Sequence, residues 1–306
     1  MRSCVGEYGE IPTQASSLPA DSALDSARAM TITLTGATGF VGRQILRTLL
    51  ERGCSVRVLV RDPSRLPDIR AGGALEVVQT PDLFAEVTGR LEELLEGSET
   101  VVHAAWYLEP GAYMSPLNVA CLTGTLNVAS AFASVGGKRF VGIGTCAEYD
   151  PSAGLMTTDT PLAPNSLYGA CKASAFQVLR SFLSTQDISF AWCRAFYLYG
   201  EGEDERRLVP YIRRQLGTGK EVLLSRGDQV RDFLDVKDAA GMITDVALGQ
   251  QQGAVNICSG EAVTVRQLAE RIADEYGRRD LLRFGARPQN VFDPPRVVGV
   301  RDRASA

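Results

Sequence analysis

From Thr31 onward, short runs of apolar or β-branched residues recur along the chain: TITLT (31–35), SVRVLV (55–60), LEVVQ (75–79), TVVHAA (100–105), RFVGIGT (139–145) and ISFAWCRA (188–195). Runs of this length, rich in Val and Ile, predict strands. Between them lie VGRQILRTLLERG, VTGRLEELLEG, NVACLTGTLNVASAFASVGG and the stretch around YGACKASAFQVLRSFLS, which predict helices. This alternation predicts an α/β chain of right-handed βαβ units, with a parallel sheet covered on both faces. After about residue 200 the rhythm loosens into loops carrying GEGEDERR, a helix near 207–217 and the run SRGDQVRDFLDVKDAA. AVNIC (254–258) is expected to return to the sheet, and VTVRQLAERIADEYG is amphipathic. The pattern divides the chain into a sheet domain over 30–195 and a smaller C-terminal lobe over 196–306 that faces the strand ends. Residues 1–29 are rich in Ser, Ala, Pro and Asp without periodicity, and read as a disordered leader ahead of Met30.

Composition narrows the class. With 306 residues, 45% of them apolar, the chain can fill a large core. The net charge of −4 supplies no basic field for nucleic acid. No window approaches the ~20 apolar residues of a membrane span and no signal-peptide pattern opens the chain, so a cytoplasmic protein with no membrane partner is expected. The seven cysteines are odd in number, with neither CxxC pairs nor His at ligand spacing, which argues against a disulfide framework and against a metal site.

The first candidate chemistry is TGATGFVG, directly after the first strand. Gly36 permits a tight turn, Gly39 lets backbone amides approach a pyrophosphate, and Gly42 allows close helix-to-strand packing; Thr38, Phe40 and Val41 complete the turn. In a strand–turn–helix context this predicts dinucleotide binding, and so a Rossmann-type doubly wound sheet. The end of the second strand selects the cofactor. A carboxylate there accepts the ribose 2′-OH of NAD, whereas a guanidinium pairs with the 2′-phosphate of NADP. Val60 fills the usual acidic place and Arg61 follows it, so NADP(H) is preferred, with Arg65 as a second contact; NAD is the alternative if Asp62 turns back to the ribose. The LLERGCSVRVLVRDPSR stretch also resembles its counterpart in NADPH-dependent dihydroflavonol-type reductases. The lone histidine, His103, reads as a structural residue.

At the other end, Tyr168 and Lys172 in NSLYGACKAS are four apart at the start of a helix, on one face, so the ammonium can favour a phenolate. Thr145, at the end of the fifth strand and four residues before Tyr149, places a hydroxyl where it can hold a reacting oxygen. Together with the glycine turn, these residues resemble the signature of the short-chain dehydrogenase/reductase family. The resemblance implies carbonyl reduction by hydride transfer, with Tyr168 as proton donor and Lys172 also on the nicotinamide ribose. It also implies adenine contacts from Asp82 and Leu83, ribose and phosphate contacts from Ala104 and Ala105, and a structural role for Asn118. Asp150 stands where the family has Gly.

The C-terminal half resembles the extended branch, the NAD-dependent epimerase/dehydratase group, through CRAFYLYGEGED, GKEVLLSRGDQVRDFLDVKDAA and AVNICSGEAVTVRQLAE. The resemblance runs from about 31 to 299 and implies a nucleotide-linked sugar substrate whose diphosphate meets Arg231 and Arg287. Tyr197 stands where the family usually has Asn beside the sugar nucleotide. Cys146-Ala147 replaces the Asp-Glu of the 4,6-dehydratases, so water loss is not expected. The leading expectation is an NADPH-dependent 4-ketoreductase of a nucleotide-linked 4-keto-6-deoxyhexose. The alternatives are a 4-epimerase with tightly held NAD, an NADPH reductase of a non-sugar ketone or aldehyde, and a non-catalytic NADP-binding protein. Relatives dimerise through two helices, here about 117–135 and 168–184. Ala120, Leu126, Ala129, Phe176 and Leu179 are the residues expected beyond their core stripe, giving a homodimer.

Overall fold

The computed structural model describes residues 31–68, 72–289 and 293–301; the expected leader lies outside them. The first half alternates as the patterning predicts. It comprises β1 (Thr31–Thr35), α1 (Phe40–Glu51), β2 (Ser55–Val60), β3 (Leu75–Gln79), α2 (Thr88–Leu95), β4 (Thr100–His103), α3 (Leu117–Ser134) and β5 (Arg139–Thr145). Then come β6 (Leu155–Met156), α4 (Leu167–Ser184), β7 (Ser189–Ala195), β8 (Tyr197–Tyr199), α5 (Leu208–Gly217), β9 (Val222–Leu223), β10 (Val230–Arg231) and β11 (Phe233–Asp235). The chain continues through α6 (Val236–Leu248), β12 (Gly253–Ile257), β13 (Val263–Thr264), α7 (Val265–Glu275), β14 (Leu282–Arg283) and β15 (Arg296–Gly299).

Seven strands form one parallel sheet in the order β12-β7-β5-β4-β1-β2-β3. Central β4 and β5 are buried along their whole length, whereas edge strand β3 leaves Leu75 and Val77 exposed, as partners on one side only require. Ile45, Leu49 and Ile243 from α1 and α6 fill one face of the sheet, and Leu94, Phe132 and Leu179 from α2, α3 and α4 fill the other. Strand order reverses between β1 and β4, so the crevice of a doubly wound sheet opens at their C-terminal ends.

The second half is less linear than its sequence suggests. Residues 236–248, which the patterning leaves among loops, form α6, capped by the Asp235 side chain on the Lys237 amide and packed on α1. With β12, α6 belongs to the sheet domain. The lobe instead recruits β6 from the first half into a four-stranded sheet, β13-β10-β15-β6, beside the packed pair α5 and α7.

Two expectations are corrected. Helix α3, 18 residues long, has the length and apolar content of a membrane span, but Cys121, Val128 and Phe132 are buried between the sheet and its neighbouring helices. Ala129, Phe176 and Leu179, expected on a free helical face, are buried within the single chain because α3 and α4 pack on each other and on the sheet. Leu126 packs half-buried on the same core, and Ala120 is exposed. The outward face of this helix pair carries Leu117, Val119 and Val178 instead.

Candidate active site

The glycine turn is shaped by backbone proximity. Gly36 adopts φ +75°, and a Cβ there would lie 2.6 Å from the Ala105 amide nitrogen; a Cβ on Gly42 would collide with the Gly36 carbonyl. Ala104 and Ala105 are tied to the end of β1, the Ala105 amide donating to Thr35 Oγ1 at 3.2 Å. Helix α1 begins at Phe40 without a side-chain cap, so its first amides keep their donors for an anion. A glycine cradle closed to any Cβ, facing an uncapped helix terminus, fits a dinucleotide pyrophosphate. Thr38 is held beside it through the hydrogen bond from Arg43 Nη2 to its carbonyl.

At the end of β2, Val60 is buried and offers no carboxylate, while Arg61 and Arg65 are exposed. The Asp62 carboxylate is engaged within its own turn: its Oδ1 accepts from the Ser64 amide at 3.0 Å and from the Ser64 hydroxyl at 2.6 Å, which holds its carboxyl below the usual range. Asp82 is exposed after β3, with Oδ1 accepting from the Phe84 amide. The Leu83 side chain is buried in the core, which leaves its backbone for any adenine contact. His103 is structural: its ring nitrogens meet Thr35 Oγ1 and Thr125 Oγ1, both at 3.0 Å, and burial pushes its pKa down to about 3.

From the glycine turn, one cleft of about 1390 Å³ runs past Thr145, Tyr168 and Lys172 to Tyr197, Arg231 and Arg287. Single-ligand pockets occupy roughly 300–1,000 Å³, so this cleft has room for two molecules in contact. Phe40, Val41 and Ala104 line it, whereas Thr38, Arg61, Asp82, Leu83 and Ala105 lie outside its walls.

Two elements bring the candidate catalytic residues together. Thr145 ends β5, and Tyr168 and Lys172 occupy the first turns of α4, which Ser166 caps through the Gly169 amide. Thr145 hydrogen-bonds the Tyr168 phenol, which lowers the phenol's pKa, but burial is larger and raises it overall. Lys172 Nζ donates to the Ile143 carbonyl at 2.6 Å and lies 3.8 Å from the Trp106 ring centroid; burial lowers its pKa to about 7. The ammonium is therefore held on the strand and on an aromatic face, while the hydroxyl of Thr145 contacts the phenol. Asn118 is structural, as expected, and it orients Trp106 by accepting from its Nε1 at 2.9 Å.

On the lobe side, Arg231 is buried and Asp293 already stands within ion-pair range of its Nη2, at 2.6 Å. The Arg231 guanidinium lies 5.2 Å from the Tyr197 ring, and exposed Arg287 stacks 4.6 Å from the Tyr211 ring. The two arginines thus enter the cleft with different degrees of freedom.

Sequence patterns alone did not point to Trp106, which lines the cleft against Lys172, or to Glu148, Trp192 and Arg194, which are buried beside Thr145. One signal was available: Gly142 and Gly144 lie inside a strand, and a Cβ on either would collide with the Trp192 ring.

The model of the NAD dependent epimerase/dehydratase family matches residues 32–258. The dTDP-6-deoxy-L-talose 4-dehydrogenase (NAD(+)) of Aggregatibacter actinomycetemcomitans is 24% identical over 274 residues, covering 89% of this chain and all of the relative. The dTDP-6-deoxy-L-talose 4-dehydrogenase (NAD(P)(+)) of Kitasatospora kifunensis is 28% identical over 258 residues, covering 80% of this chain and 79% of the relative. Among solved structures, MoeE5 in complex with UDP-glucuronic acid and NAD superposes with a TM-score of 0.77 at 25% identity, covering 89% of this chain and 90% of that one. With the glycine cradle, the Thr145–Tyr168–Lys172 set and a matched family model on one chain, this protein belongs to the NAD-dependent epimerase/dehydratase family of extended short-chain dehydrogenase/reductase enzymes.

Proposed function

We propose that the protein is an NADPH-dependent 4-ketoreductase of a nucleotide-linked 4-keto-6-deoxyhexose. The observation that carries this reading is the residue pair directly after Thr145. Cys146 and Ala147 line the cleft beside Tyr168, and burial pushes the Cys146 thiol up to about 12, so neither can supply the acid–base pair that dehydration needs. Tyr168 and Thr145 remain as the groups that can act on a carbonyl oxygen. Thr145 would orient that oxygen, Tyr168 would deliver a proton to it, and Lys172 would hold the nicotinamide ribose and stabilise the phenolate left behind. Bound against the glycine cradle, NADPH would supply the hydride. The relatives named for 4-dehydrogenation of a dTDP-6-deoxyhexose support this, because that reaction run in reverse is a 4-keto reduction. Exposed Arg61 and the engagement of Asp62 by Ser64 support NADPH. The outward Leu117, Val119 and Val178 support a homodimer through α3 and α4, to be checked by light scattering.

The test is to incubate the protein with NADPH and a panel of UDP- and dTDP-linked 4-keto sugars while following cofactor absorbance. The expected result is one NADPH consumed per sugar reduced. Interconversion of 4-epimers without net cofactor consumption would instead identify an epimerase.

A further inference from the structure

Glu148 is a fully buried carboxylate on the 3₁₀ turn after Thr145. Its Oε1 accepts from the Thr145 amide at 2.8 Å and from Trp192 Nε1 at 2.9 Å, and its Oε2 accepts from Arg194 Nε at 2.7 Å. Arg194, 1% exposed, donates through Nη1 to the Tyr149 hydroxyl, which donates to Asn256 Oδ1 at 2.6 Å. The geometry reserves space for this arrangement, because a Cβ on Gly144 would lie 2.5 Å from Glu148 Oε1. Stability alone is a poor account of it, since an apolar pair of similar volume is often as stable as a buried ion pair. The distinctive feature is the pair of groups that Glu148 holds. One is the backbone of Thr145. The other is Trp192, whose ring centroid lies 5.6 Å from Lys172 Nζ.

We propose that Glu148 is a positioning residue for the reaction, fixing Thr145 through its amide and Lys172 through Trp192. The role rests on Thr145, Tyr168 and Lys172 being the reacting set. Lys172 is faced by Glu148 from the turn, by Cys121 from α3 and by His103 from β4, and Tyr168 lies one turn earlier on its own helix. Burial pulls the Lys172 pKa down to about 7, and the Glu148 charge is the largest influence opposing that pull. Loss of the charge therefore lowers the pKa of Lys172 further, and the ammonium is lost at lower pH.

Two variants test this: Glu148→Gln, which keeps the shape and one acceptor, and the double variant Glu148→Leu, Arg194→Met, which replaces the buried pair with apolar volume but takes the acceptor from the Thr145 amide and Trp192 Nε1, so that its fold is checked by circular dichroism first. Both are expected to lose roughly ten- to a hundredfold in kcat, as a small misplacement of reacting groups costs. The KM for NADPH should change far less than kcat, since the glycine cradle is untouched and only the Lys172 contact to the nicotinamide ribose is disturbed. The alkaline limb of kcat should move to lower pH, and the titration of Lys172, followed by NMR on carbon-labelled lysine, should move the same way. A folded variant with parental kcat overturns the proposal, as does an unmoved Lys172 titration. The titration needs no substrate. If the parent reduces no 4-keto sugar, the functional reading fails on its own, while the titration still decides the role of Glu148.

Discussion

At the glycine turn the cleft is shaped by backbone: Gly36 lies so close to the Ala104–Ala105 turn, and Gly42 to the Gly36 carbonyl, that no side chain fits between them. At the lobe the walls are long side chains, with Arg231 paired to Asp293 and Arg287 stacked on Tyr211. The first region is specified by what is missing from two positions, Gly36 and Gly42, and tolerates little change. The second is specified by long charged side chains, whose arrangement can change without altering the backbone. Between them, Thr145, Tyr168 and Lys172 belong to the rigid side, anchored on β5 and α4.

If the reacting set belongs to that rigid side, the largest effect should come from Tyr168→Phe. Removing the proton donor is expected to lower kcat by roughly 10²–10⁴-fold, leaving the Kd for NADPH unchanged. Near-parental turnover in steady-state assays would break the assignment.

The dryness of the nucleotide end gives the next effect, on stability. The pKa of His103 lies near 3 in the folded chain, against an ordinary value of 6.5. As pH falls from 6.5 toward 3, the unfolded chain takes up a proton that the folded chain refuses, so stability drops by about 1.4 kcal/mol per pH unit from this residue. Urea titrations across that range should show a shallower acid dependence in His103→Asn, whatever its stability at neutral pH. Parallel slopes would mean that His103 is not held neutral.

A smaller effect tests the open edge of the same region. Arg61→Ala is expected to reduce the preference for NADPH over NADH by roughly ten- to a hundredfold, the worth of a charge-assisted phosphate contact. Added salt should weaken NADPH binding to the parent more than NADH binding. Equal affinities of the parent for both cofactors, measured by calorimetry, would return tightly held NAD and epimerisation to the front.

The smallest effect belongs to the adjustable end. Asp293→Asn releases Arg231 from its partner, and the KM for a nucleotide-linked substrate is expected to fall by about two- to fivefold with kcat unchanged, the scale of a partly exposed ion pair. A raised KM would show that Asp293 itself serves the substrate.

The same contrast explains how much of the molecule was legible in its sequence. The bounds of β1, β2, β3 and β5 follow directly from their apolar runs, and the glycine turn, Thr145, Tyr168 and Lys172 are local patterns whose spacing carries their geometry. Helix α6 escaped because three of its seven buried residues are alanines, Ala239, Ala240 and Ala247, and a fourth is Thr244, which weakens the apolar period. The strands of the lobe are mostly pairings two to four residues long between distant segments, such as β6 with β15, and carry no period to read. Glu148 was silent for the same reason: Arg194 is 46 residues away, and a carboxylate between two strands reads as a loop residue until the fold buries it. The Arg231–Asp293 pair likewise joins positions that only the lobe brings together.

The most direct measurement uses NADPH deuterated at the transferring position of the nicotinamide, in a single turnover with a nucleotide-linked 4-keto-6-deoxyhexose. Product analysis by mass spectrometry and NMR should find one deuterium on C4 of the sugar and none there when Tyr168→Phe replaces the parent under the same conditions. Deuterium retained on the cofactor, with the sugar unreduced or merely epimerised, would contradict the account.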